Sequence, residues 1–153
     1  MKTLSDKIEK QVFKNKGMSP HILLVDDDAT QLKLFSALMK KQNYSVVTAK
    51  SAEKAKELLQ TLHIDLVVTD VHLPEKNGKE LIKDLRNSSG LQKLPVISFS
   101  IGKDLDDEML ASGATKHFHK MNVRGLLDGI SGLLENDERP TSLLAQIKAQ
   151  YGE

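Results

Sequence analysis

The sequence Ile64-Asp65-Leu66-Val67-Val68-Thr69 is a short, largely apolar run that ends at the carboxylate of Asp70. Such a run reads as a buried strand. The turn that follows, Val71-His72-Leu73-Pro74-Glu75-Lys76-Asn77-Gly78, carries Pro74 and Gly78 and leads into a helix over about Lys79 to Asn87. Upstream, His21-Ile22-Leu23-Leu24-Val25 repeats the arrangement, an apolar run ending in the acids Asp26-Asp27-Asp28. Asp28 or Thr30 can cap a helix through about Gln42, with Leu34, Phe35, Leu38 and Met39 as its core stripe. Leu32 falls one position off that stripe, near the acids. Asn43 suits the left-handed residue that ends such a helix.

Strands and helices continue to alternate. Tyr44 to Thr48 is a second strand, and Ser51 caps a helix to about Leu62. Pro95-Val96-Ile97-Ser98-Phe99-Ser100 is a fourth strand, and a short acidic helix covers about Asp104 to Ala111. Lys116 to Lys120 is a fifth strand. The helix from Val123 to about Glu135 carries Leu126, Ile130, Leu133 and Leu134 at helical spacing. Five strands separated by helices predict an α/β fold, a doubly wound parallel sheet with helices on both faces. The expected strand order is the flavodoxin-like 2-1-3-4-5, with the ligand crevice beyond the carboxyl ends of strands 1 and 3.

That order gathers the chemistry-bearing residues. Asp26 and Asp27 end strand 1, Asp70 ends strand 3, Ser100 ends strand 4 and Lys120 ends strand 5. Three carboxylates in one small crevice repel one another, and a divalent cation is the simplest relief. With oxygen ligands on offer and no cysteine in the chain, Mg²⁺ is the expected ion. It would neutralise an incoming phosphate and leave Asp70 free to attack phosphorus. Lys120 supplies a cation and Ser100 a hydroxyl donor for phosphoryl oxygens.

Leu23-Leu24-Val25-Asp26-Asp27-Asp28, Asp65 through Gly78, Pro95 through Ser100, and Gly113-Ala114 up to Lys120 resemble the receiver domains of two-component response regulators, CheY-like in pattern. The resemblance covers about residues 20–135, and its most specific block is Asp70 to Gly78. It implies that Asp70 is phosphorylated by a sensor histidine kinase or phosphotransfer protein. Asp26, Asp27, Asp70 and the His72 backbone carbonyl would hold Mg²⁺. Ser100 would be the switch hydroxyl, and Lys120 would pair with the phosphoryl group. His117 stands where an aromatic switch residue moves inward. Leu32 would offer an apolar contact to the phosphodonor. Self-catalysed phosphoryl transfer and autodephosphorylation are the only chemistry implied, and the output is a change in protein–protein contact.

Four features depart from the family pattern. Met121 follows Lys120 where a proline in a cis peptide is usual; a cis bond before Met costs about 3–4 kcal/mol, so a trans bond is expected. Ile101 replaces a small residue after Ser100, where it would narrow access to the acyl phosphate. The Ser100–Gly113 segment is a residue or two short, which predicts a shortened fourth helix. His117 replaces Tyr or Phe, and a partly buried His there would make the switch sensitive to pH. His117 and His119 alternate along one strand and so point to one side, with no further metal ligand identifiable nearby.

Composition narrows the class. Of 153 residues, 39% are hydrophobic and 28% charged, and the net charge is +1, so nothing favours nucleic acid or a membrane surface. No apolar run approaches a bilayer span, and the expected location is the cytoplasm. Residues 1–19 read as an N-terminal extension, with Leu4, Ile8 and Val12 at helical spacing. Residues 136–153 read as a linker around Pro140 and a short helix capped by Thr141. No output domain fits in these ends, which points to a stand-alone receiver. Gly125, Gly129 and Gly132 on one stripe of the last helix suit close packing or a flat surface for a partner, including a second copy.

Two rival readings remain. The chain could be a degenerate receiver, a binding module that is never phosphorylated. Alternatively, Asp26-x-Asp28-x-Thr30 fits the first motif of haloacid-dehalogenase-like phosphatases, with Asp26 as nucleophile and Asp28 as acid/base. Such an enzyme wants an acidic pair after a late hydrophobic strand. Asp106-Asp107 follows Gly102-Lys103-Asp104-Leu105, which is not one.

Overall fold

The computed structural model describes residues 19–135; the expected features of both chain ends, including the helix capped by Thr141, lie outside them. Strands β1 (His21–Val25), β2 (Ser45–Ala49), β3 (Leu66–Asp70), β4 (Val96–Ser100) and β5 (Lys116–His119) alternate with helices α1 (Ala29–Lys41), α2 (Ala52–Thr61), α3 (Gly78–Arg86), α4 (Asp106–Ala111) and α5 (Val123–Glu135). The strands form one parallel sheet in the order β2-β1-β3-β4-β5. This is the expected flavodoxin-like, CheY-like arrangement.

Local chemistry sets the element ends. The Asp28 carboxylate accepts the N–H groups of Thr30 and Gln31 and so caps α1. Ser51 caps α2 through the N–H of Lys54, and Asn77 caps α3 through that of Glu80. Each cap satisfies backbone donors that a helix N-terminus leaves free. Asn43 takes φ 68°, the left-handed value expected just past α1. The fourth helix is indeed short, at six residues.

Two apolar layers cover the sheet. Leu32, Phe35 and Met39 of α1 and Leu126, Ile130 and Leu134 of α5 pack on Ile22, Leu24, Leu66, Val68, Ile97 and Phe99. Ala52 and Ala55 of α2, Leu81, Ile82 and Leu85 of α3 and Met109 of α4 pack on Leu23, Val25, Val67 and Val96. Gly129 of α5 belongs to the α1/α5 layer, since a Cβ there would strike the ring of Phe118. Gly78 is needed because a Cβ there would collide with the Asp70 carbonyl, so α3 starts hard against the end of β3. Arg86 donates to the carbonyls of Leu91, Gln92, Leu94 and Gly113, joining the end of α3 to the start of β4 and the approach to β5. Its burial holds its pKa below the usual guanidinium value.

The stripe expected on α1 needs correction, and with it the surface role given to Leu32. Leu32 is a core residue at 6% exposure, whereas Leu34 stands 50% exposed. Apolar residues at 32, 34, 35, 37, 38 and 39 wrap most of the helix, so two stripes sharing Phe35 and Met39 fit the sequence equally. The contact with β1, β3 and β4 selects the stripe at 32, 35, 36 and 39. Leu32→Ala is therefore expected to cost about 2–4 kcal/mol in urea unfolding. Leu34→Ala should stay within about 0.5 kcal/mol.

Candidate functional site

Strand alternation assembles the site. Leu24, Val68, Ile97 and Lys116 are register partners across β1, β3, β4 and β5. With a period of two, Asp26, Asp70, Phe99 and Phe118 fall on the α1/α5 side of the sheet, and Lys120 follows on the same side. Ser98, Ser100, His117 and His119 fall on the other side, and Asp27 lies past the end of β1 at the mouth of the crevice.

Carboxylate oxygens of Asp26, Asp27 and Asp70 lie within 4.8 Å of one another. Asp26 and Asp70 are buried and Asp27 is exposed. Lys120 Nζ donates to Asp26 Oδ2 at 2.9 Å and to Asp70 Oδ2 at 3.2 Å. The remaining oxygens are oriented by backbone. Asp26 Oδ1 accepts the Asp28 N–H at 3.0 Å, and Asp70 Oδ1 accepts the His72 N–H at 3.2 Å. Each oxygen keeps a second lone pair for a cation. The all-oxygen donor set, with one exposed carboxylate at the mouth, fits a hard divalent ion.

Burial pushes the Asp70 carboxyl above its ordinary value; Lys120 opposes that shift, the charge of Asp26 adds to it, and the His72 N–H opposes it. Burial would lower Lys120, but the bonds and charges of Asp26 and Asp70 overrule it and raise its pKa. Lys120 is therefore a firm cation facing a carboxylate that burial keeps energetically uneasy. Its Nζ also sits 4.8 Å from the centroid of the Phe99 ring. Phe99 meets Phe35 of α1 edge-on at 5.0 Å. Nothing in the sequence marked Phe99 as part of this support, because the contact exists only across β4, β5 and α1.

The other expected residues divide. Ser100 is fully buried at the end of β4; its Oγ accepts the Gly102 N–H at 3.0 Å and its carbonyl accepts the Lys120 N–H at 2.9 Å. His117 lies on the opposite side from Lys120, half-buried, with Nδ1 2.7 Å from Ser98 Oγ. Burial holds its imidazole below the ordinary pKa; Asp106 raises it and His119 lowers it further. The Lys120–Met121 peptide is trans, and Ile101 and Met121 stand 71% and 83% exposed. Asp28 caps α1 through its Oδ1, the local role expected of it.

Two outcomes follow from these shifts. Asp70→Asn removes a buried charge disfavoured by its surroundings, so its thermal midpoint in a melting experiment should rise rather than fall. His117 binds its proton more weakly folded than unfolded. Its stabilising contribution is fully present above about pH 6.5 and is lost as the pH falls from there through the lowered folded value. Urea midpoints measured across that window should fall with pH in the parent and fall less in His117→Phe.

Comparison with known proteins places this geometry. The two-component response regulator ORR5 of Oryza sativa subsp. japonica is 33% identical over 86 residues, 56% of this chain and 64% of that protein. The chain thus spans less than two thirds of that relative. The chemotaxis response regulator CheY4 of Vibrio cholerae has a solved structure with a TM-score of 0.69 at 26% identity, covering 76% of this chain and 99% of that one. The response regulator TrrA of Thermotoga maritima, solved with Mg(2+)-BeF, shares the fold with a TM-score of 0.70 at 22% identity, over 75% of this chain and 99% of that one. Residues 22–130 match the family model of the response regulator receiver domain, and the chain belongs to that family.

Proposed function

We propose that this chain accepts a phosphoryl group on Asp70 from a histidine kinase or phosphotransfer protein and thereby switches its protein contacts. The observation that carries the reading is the Lys120 ammonium bridging the Asp26 and Asp70 carboxylates beside the exposed Asp27. Asp26, Asp27, Asp70 and the His72 carbonyl are the residues that would hold Mg²⁺. When bound, the ion supplies positive charge that neutralises the phosphoryl oxygens.

The chain's own groups do the rest. A carboxylate oxygen of Asp70 attacks phosphorus, and the bond from phosphorus to the donor's nitrogen or oxygen breaks with its electron pair leaving on the donor. The product is a mixed carboxylic–phosphoric anhydride. As Asp70 loses its charge, Lys120 exchanges that oxygen for one on the phosphoryl group. The His72 N–H holds the carboxylate orientation at the start. The Ser100 Oγ accepts the Gly102 N–H, which leaves its hydroxyl proton available as a donor at the mouth of the site. His117, bonded to Ser98, would report the change on the α4–β5–α5 surface. Residues 20–135 would form the receiver unit. Among the described residues no helix is long and apolar enough to cross a membrane, which suits a cytoplasmic signalling role.

Incubation with Mg²⁺ and acetyl phosphate, followed by intact-mass measurement, tests the proposal. The parent should gain one phosphoryl group and Asp70→Asn none. Absence of uptake even from a phosphorylated histidine protein would favour the unphosphorylated binding module instead.

A further inference from the structure

Ile101 and Met121, two residues that set this chain apart from the family pattern, are joined by a single side chain. The Met121 N–H points at His119 Nδ1, 3.1 Å away, and His119 Nε2 lies 2.9 Å from the Ile101 carbonyl oxygen. A carbonyl only accepts, so Nε2 carries the proton; a backbone N–H only donates, so Nδ1 is bare. The imidazole is used at both ends, in one neutral tautomer.

The two anchor points are the turns that carry the site. Ile101 is the middle of the Ser100–Gly102 turn, closed by the Gly102 N–H on Ser100 Oγ. Met121 follows Lys120, whose own N–H is bound to the Ser100 carbonyl at 2.9 Å. Beyond it, the Asn122 N–H donates to the His119 carbonyl at 2.8 Å, closing the turn that leads into α5. Backbone pairing thus holds the Lys120 main chain on one side, and the His119 ring holds it on the other. The ring touches neither carboxylate.

We infer that His119 is a positioning residue: its imidazole clips the Ser100–Gly102 turn to the Lys120–Met121 turn and so fixes where the Lys120 ammonium meets Asp26 and Asp70. The inference rests on Asp70 being the acceptor. A lysine stem is flexible, and its aim is set by the backbone that launches it. Misplacement of about 1 Å at a reacting centre can cost on the order of 10²-fold in rate.

The test compares initial phosphorylation rates by acetyl phosphate at saturating Mg²⁺ and about pH 8, where imidazole is ordinarily neutral. His119→Phe keeps the ring volume and removes both bonds, and its rate should fall at least roughly tenfold. His119→Asn keeps an acceptor near the Nδ1 position and should recover part of that loss. In a Lys120→Ala background the Phe substitution should add no further loss, because His119 acts through Lys120. ¹⁵N-correlated NMR of the parent should show the Nε2–H tautomer. A parent that is phosphorylated, with His119→Phe within about twofold of it, overturns the positioning role alone. An equal Phe effect without Lys120, or an Nδ1–H tautomer, also overturns it. A parent that takes up no phosphoryl group fails the acceptor reading itself, and the positioning role with it. If His119→Phe does not fold, the Asn variant and the tautomer decide.

Discussion

Three carboxylates held within 4.8 Å of one another, two of them buried, form the constraint around which this molecule is arranged. Like charges so close are mutually destabilising, and burial sharpens the repulsion. One ammonium, from Lys120, answers two of them. The third, Asp27, is left to water or to a cation. Phosphorylation of Asp70 would change the charges in this balance, and a balance held by one lysine is easily re-set.

The support beneath the site is apolar. Lys120 lies over Phe99, which sits fully inside the α1-side core and meets Phe35 edge-on. Lys120 is thus linked to α1 by contact through two aromatic rings. On the other side of the sheet, Ser98, Ser100, His117 and His119 form a polar column along β4 and β5, in register as Ser98 with His117 and Ser100 with His119. The acidic side would carry the chemistry, and the polar column adjoins the turns that lead to α4 and α5. The two groups meet at β5, where His119 of the polar column directly precedes Lys120 of the acidic side.

A Met at position 121, where the family pattern has proline, brings a backbone N–H that a proline would lack. His119 accepts it and spends its other nitrogen on Ile101. The histidine pair therefore serves hydrogen bonding, and among the described residues no metal-binding group includes it.

Much of this was legible in the sequence, for identifiable reasons. Short apolar runs that end in Asp26 or Asp70 and alternate with capped helices specify a parallel sheet, and the carboxyl ends of its strands then bring Asp26, Asp27, Asp70 and Lys120 together. Asn43, Ser51 and Asp28 were readable because turns and caps depend on local backbone chemistry. The face of α1 was not readable, since its apolar residues wrap most of the helix and only contact with β1, β3 and β4 chooses Leu32 over Leu34. Nor was the support of Lys120 by Phe99, or the His119 link between Ile101 and Met121, since these bonds join residues on different strands and turns. The sequence by itself determined the elements, their order and the charges at the strand ends, because those depend on period and on local bonding. Tertiary structure alone decided which side each residue serves and which partner it meets, because register and packing are properties of the assembled sheet.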